Sequence, residues 1–173
     1  MGQSGKNDQP AFLDYVYKLN EGTELTNALQ MSLENIKHID IQKLNRIGLQ
    51  TYAEGKWTIN KIIQHLIDWE RIWCFRAIIF ARKEGTIPVA HDQEIMGQHA
   101  NADEIPLEQL INEMLIVRQS TIAMFNSFNE DTLDIRCKFF EYEMPLYSIG
   151  LTITAHQIHH FNVIKDRYYP LDK

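Results

Sequence analysis

Seven histidines occur in the chain, His38, His65, His91, His99, His156, His159 and His160, and three of them have the spacing of a metal site. His156 and His160 stand four apart in a segment of helical period, so both rings leave the same face about one turn apart. Two imidazoles so placed can meet one ion at roughly 2.0–2.1 Å each. His65 lies between Ile62 and Trp69 on the apolar side of a second such segment. It supplies a third nitrogen if the two helices pack about 8–10 Å apart. Three neutral nitrogens without a carboxylate leave coordination positions for water or substrate, which is a catalytic arrangement and not a closed structural one. Zn, Ni, Cu or Fe suits such a site, and a hard oxygen-preferring ion such as Ca does not. On spacing alone a second reading stays open, in which the three rings are buried core histidines hydrogen-bonded to protein groups.

Other residues set limits on the chemistry. Gln157 stands where a zincin carries its general-base Glu, so that protease class is disfavoured. His159 points roughly 100° away from His160, within reach of a supporting or proton-relay role. His91 and His99 fall in a connection and read as exposed loop histidines, and His38 reads as a favourable charge at a helix C-terminus. Arg118 interrupts an apolar stripe and must pair, with Asp68 or Glu70 or with an anionic substrate. Trp69, Trp73, Phe75 and Phe80 read as packing residues, and Cys74 as a small core hydrophobe. No phosphate-cradling glycine loop, nucleophile elbow or dinucleotide fingerprint is present.

Four amphipathic segments must position these side chains. The first spans Thr23 to Ile36 with Leu25, Leu29 and Leu33 on one face. The second enters at Trp57-Thr58, with Thr58 as N-cap, runs to about Arg82, and is stopped by Gly85. The third opens with Pro106 at its first position and carries Leu110, Met114, Arg118 and Phe125. The fourth runs from Ser148 to Tyr168, and Pro170 ends it. Residues 135–143 suit an extended conformation but show no partner strand. The expected fold is therefore all-α, a four-helix bundle over residues 11–173, preceded by a flexible N-terminal arm over residues 1–10. The long crossover between the second and third helices lets them run parallel, so a simple up-down-up-down order is not expected.

Composition narrows the class. Of 173 residues, 45% are hydrophobic and 23% charged, which is the balance of a globular domain and not of a disordered chain. Seventeen basic against 23 acidic residues give a net charge of −6, which argues against a phosphate-neutralising nucleic-acid binder. The longest wholly apolar run, Ala77 to Ala81, is too short to span a membrane. Two isolated cysteines, Cys74 and Cys137, and no signal-peptide pattern fit a cytoplasmic, reducing location.

Tyr52 to Thr58, Ile62 to Arg71, Ala77 to Glu84 with Ile87-Pro88, Arg118 to Thr121, and His156 to His160 followed by Asn162 to Tyr168 form a set of stretches in a characteristic order. Together they resemble the DinB-like proteins, a superfamily that includes bacillithiol- and mycothiol-dependent transferases. The resemblance implies an up-down-down-up four-helix bundle, often a homodimer, with a divalent metal (Zn, Ni, Fe, Mn or Cu) on His65, His156 and His160. It further implies a metal-dependent enzyme, a thiol S-transferase using a small thiol or a small hydrolase. The alternative is a non-catalytic metal-stabilised bundle with a stress-related binding role. Two positions depart from the usual pattern. Ala155-His156-Gln157 replaces Gly-His-Glu, and Ala90-His91-Asp92-Gln93 stands where a Gly-Phe-acidic sequence is common.

Overall fold

The computed structural model describes residues 11–173, and the N-terminal arm expected over residues 1–10 lies outside them. In chain order the elements are α1 (Ala11–Leu19), α2 (Leu25–Lys37), α3 (Ile41–Ile47), α4 (Ile59–Ala81), α5 (Gln93–His99), α6 (Leu107–Asn126) and α7 (Glu130–Leu133). A hairpin of β1 (Arg136–Lys138) and β2 (Glu143–Pro145) follows, and α8 (Leu146–Val163) closes the bundle. Helix α4 starts where the sequence placed it, because the Thr58 hydroxyl accepts from the Lys61 amide at 3.2 Å and satisfies one free donor of the first turn. Pro106 sits just before the first turn of α6, at its N-cap. Pro170 does not end the last helix. A π turn (Ile164–Tyr168) and a 3-10 turn (Tyr169–Leu171) continue it, and the proline is tolerated near the start of the latter, where its missing N–H is not needed.

The extended segment does have a partner, contrary to the sequence reading. Arg136 pairs with Pro145, Cys137 with Met144 and Lys138 with Glu143. Strands of three residues are too short to show an alternating pattern, though Cys137 and Met144 turn inward and are fully buried.

Around the bundle the order is α2, α6, α4, α8. Cross-helix contacts fix the directions. Glu70 meets Arg118 and Cys74 meets Thr121, so α4 and α6 run parallel. His65 meets His156 while the Tyr168 hydroxyl donates to the Trp57 carbonyl, so α8 runs against α4. Ser32 meets Gln157 while Leu25 lies against Gly150, so α2 is parallel to α8. The result is the up-down-down-up bundle, with the crossover carrying α5. Gly150 permits the close approach of α8, since a Cβ there would lie 3.2 Å from the Phe125 ring. Helix α1 packs outside α8, held by Asn20, whose Nδ2 donates to the Leu151 carbonyl at 3.0 Å and whose Oδ1 accepts from Thr154 at 2.6 Å.

The core is divided. One apolar cluster gathers Leu29, Trp73, Phe125, Ile149 and Ile153 with the hairpin, and a second gathers Ile36, Ile63, Ile67, Met114 and Ile164 at the other end. Between them each long helix contributes one buried polar residue: Ser32, Glu70, Arg118 and Gln157. Arg118 forms a two-pronged pair with Glu70, Nε to Oε1 at 2.8 Å and Nη2 to Oε2 at 2.9 Å, and its Nη1 donates to the Ser32 hydroxyl. Gln157 Nε2 donates to the Ser32 carbonyl at 2.9 Å. Glu70, and not Asp68, is therefore the partner of Arg118; Asp68 accepts from Gln64 instead.

Glu70→Ala leaves a buried guanidinium without its carboxylate and is expected to cost about 3–5 kcal/mol in urea unfolding. The double replacement Glu70→Leu with Arg118→Met removes both charges and should recover most of that loss. A single variant within about 0.5 kcal/mol of the parent would show that the pair does not carry this layer.

Candidate metal centre

His65 lies two turns into α4, and the antiparallel α8 brings His156 and His160 to the same height. All three present Nε2. His156 Nε2 is 3.0 Å from His65 Nε2 and 3.1 Å from His160 Nε2, and the three ligand atoms lie within 4.8 Å of one another. Nitrogens at about 2.0–2.1 Å from one tetrahedral ion would sit about 3.3 Å apart. Each neutral Nε2 offers either one N–H or one lone pair, so His156 Nε2 cannot form two good hydrogen bonds with its neighbours. A cation satisfies all three lone pairs at once. Among the described residues no carboxylate or thiol joins the group, and this imidazole donor set fits a borderline divalent ion.

Electrostatics favour the neutral rings that a metal requires. Burial pushes His65 down to about 4. His160 is held at about 3, by burial first and then by the neighbouring imidazoles of His65 and His159. His156 lies well below the ordinary histidine range for the same reasons, burial foremost. Trp57 and Trp69 flank the His65 ring, with centroids at 4.9 and 6.1 Å.

Two clefts meet at this cluster, sharing Gln93, His156 and His159. One, about 370 Å³, is walled by Phe12, Tyr15, Trp69, Trp73 and Tyr142. The other, about 460 Å³, is more polar and is lined by Tyr52, Lys56, Trp57, Glu94 and Tyr168 beside His65 and His160. Sequence reasoning missed Phe12 and Tyr15, because α1 is short, and missed Gln93 and Glu94 of α5. A local signal for α5 existed: Asp92 caps it, accepting from the amides of Glu94 and Ile95. Gly97 then lets α5 lie against Trp57, where a Cβ would come within 2.8 Å of the indole.

The remaining candidates divide. His159 is exposed at the rim, its Nδ1 2.9 Å from Tyr15 Oη and its ring centroid 5.1 Å from that of His160. It adjoins the cluster without joining it. His91 is exposed but lies 3.1 Å from an Arg76 nitrogen, and His99 is exposed at the end of α5. His38 caps α2, its Nδ1 2.8 Å from the Glu34 carbonyl. Cys74 sits against Thr121 at 3.2 Å, and burial pushes its thiol up to about 11, away from the thiolate form that an activated nucleophile needs. Trp69 and Trp73 pack and also wall the cleft. Phe75 corrects the sequence reading: it is 63% exposed, because two residues beyond Trp73 the helix has turned roughly 200° away from the core.

The depressed histidines fix a pH dependence for the metal-free chain. Their folded values lie below the unfolded value near 6.5, so below that pH the unfolded state binds more protons and stability falls. Urea unfolding should show a loss from about pH 6.5 down to about 4, continuing toward 3, and His156→Ala should flatten it. A flat wild-type profile between pH 7 and 5 would contradict this electrostatic picture.

Three comparisons place the chain among known proteins. The DinB superfamily profile matches residues 24–164. No curated protein matches the sequence. Among solved structures, YfiT from Bacillus subtilis, described as a probable metal-dependent hydrolase with an unusual four-helix bundle topology, superposes with a TM-score of 0.57 at 14% identity. The match covers 95% of this chain and 93% of that one. At that identity the likeness shows the fold. The profile match spans well over half of the sequence, and the chain belongs to the DinB superfamily.

Proposed function

We propose that His65, His156 and His160 hold a divalent transition metal and that the chain is a metal-dependent enzyme, a thiol S-transferase or a small hydrolase. The observation that carries this reading is the convergence of three Nε2 atoms where two clefts meet, which leaves the fourth side of the cluster facing open space. A divalent ion supplies Lewis acidity there, the property that makes a thiol or a water nucleophilic near neutral pH. The chain's own residues do the rest. Trp69, Trp73, Phe12 and Tyr142 bind an apolar portion of the substrate and keep water from it. Lys56 and Glu94 face the polar portion across the histidines. Tyr15 Oη and His159 Nδ1, already hydrogen-bonded, can hold a proton at the rim. The description of YfiT as a probable metal-dependent hydrolase supports the hydrolytic branch, and the superfamily's thiol transferases support the other.

Among the described residues no helix is long and apolar enough to cross a membrane. The homodimer belongs to the same proposal. Phe75, 63% exposed, and Ile78, 44% exposed, form an apolar outer face on α4 that a second copy would cover. A monomeric mass by light scattering at micromolar concentration would remove the dimer without touching the metal site.

Elemental analysis of gently purified protein should find about one equivalent of a transition metal in wild type and little in His65→Ala. The metal-loaded chain should then join a small thiol to an activated aryl halide or hydrolyse an activated ester. His160→Ala should lose at least about a hundredfold of that rate. Stoichiometric metal with equal rates in both forms would favour the alternative, a metal that only braces α4 against α8.

A further inference from the structure

Two arginines are buried in this bundle, and they are satisfied differently. Arg118 is enclosed by the Glu70 carboxylate and the Ser32 hydroxyl. Arg76, on α4 and 6% exposed, pairs with no carboxylate among the described residues. Its Nη2 donates to two neutral acceptors of the crossover, the Val89 carbonyl at 2.9 Å and His91 Nδ1 at 3.1 Å. Its Nε has no partner. The guanidinium carbon lies 4.6 Å from the centre of the Trp73 ring and 5.6 Å from that of Trp69, the two indoles that wall the aromatic cleft. The indole N–H of Trp69 is likewise buried without an acceptor. A full positive charge and a spare donor therefore stand behind the indoles, with Arg76 itself lining the adjoining cleft beside Val89 and His91. Trp69 brings a second spare donor to the aromatic wall, and among the described residues no carboxylate pairs with the guanidinium. Ring faces and carbonyls offset part of the desolvation of a cation, but an anion offsets far more. Tyr142, which lines the same cleft, feels the charge, since Arg76 partly opposes the upward push of burial on its hydroxyl.

We propose that the aromatic cleft beside the histidine cluster binds an organic anion, a carboxylate or its phosphonate or sulfonate counterpart on an apolar body, with Arg76 supplying the counter-charge. The body packs on Trp69 and Trp73, and the anionic head draws the guanidinium from the crossover acceptors that now occupy Nη2. This deepens the enzymatic reading by naming a substrate class, and it rests on that reading only in taking the cleft as the substrate's place.

The test uses the full chain without metal, in chelator at about pH 8, above the histidine range, so that no ion can attract the probe. Phenylbutanoate and the neutral phenylbutanol are titrated while tryptophan fluorescence is followed. Wild type should bind the acid about ten- to a hundredfold more tightly than the alcohol. Arg76→Met should abolish that preference while leaving alcohol binding unchanged, and Arg76→Lys should keep part of it. Equal affinity for both probes in wild type, binding of neither, or a preference that survives in Arg76→Met overturns the proposal and leaves Arg76 as a pin for the crossover. If Arg76→Met does not fold, the wild-type ratio and Arg76→Lys decide. Because no metal is present, failure here is independent of failure of the metal-dependent reading.

Discussion

The bundle depends on one buried ion pair. Arg118 and Glu70 face each other between two apolar clusters, with Ser32 and Gln157 completing a polar layer to which each long helix gives one residue. Apolar packing tolerates sliding, because one methyl group substitutes for another. A two-pronged guanidinium–carboxylate contact does not, because a shift of one residue leaves a charge uncompensated in a medium of low polarity. This layer therefore sets the heights of the four helices. Gln157 follows His156 directly, and Glu70 lies little more than a turn beyond His65, so the register that satisfies Arg118 is also the register that brings the three imidazoles together.

That register demands the topology. Glu70 and Arg118 sit at matching depths of helices that run parallel, and parallel neighbours cannot be joined by a tight turn. The crossover that joins α4 to α6 is put to use. Its short helix α5 supplies Gln93 and Glu94 to the wall of the cleft beside the histidine cluster, and the chain before it lies over Trp69 and Arg76. The cleft is thus built partly from the connection that the ion pair makes necessary. Helix α1 closes the opposite side, anchored through Asn20 to α8, so the walls move with the helix that carries two of the histidines.

What the sequence revealed follows the same physics. The long helices were legible because each repeats its apolar stripe over several turns, and the histidines because a four-residue spacing on such a stripe leaves their direction little freedom. The partner of Arg118 could also have been settled by counting. Glu70 shares its face with Ile63, Ile67, Trp73 and Ala77, all buried, whereas Asp68 does not. The same count puts Phe75 outside. The pairing of the hairpin, and helices α1 and α5, were hidden because elements of three to nine residues hold too few periods for a pattern. Their contribution is tertiary: Phe12, Tyr15, Tyr142 and Gln93 become cleft walls only through where the chain returns to α8.

Polar satisfaction separates scaffold from site. Among the described residues, three buried side-chain atoms lack a hydrogen-bond partner: Trp69 Nε1, Arg76 Nε and Gln157 Oε1. None lies in either apolar cluster's interior away from the histidines. Trp69 walls the cleft, Arg76 stacks on Trp69, and Gln157 neighbours His156. A bundle that folds for stability alone would satisfy or remove such atoms, as it does for Arg118, Asn20 and Thr154 elsewhere. Desolvated imidazoles, an uncompensated cation and spare donors gathered in one place form a set of costs that a bound ion and a bound anion would reverse, and the fully paired Arg118 and Glu70 beneath are what let the fold carry them.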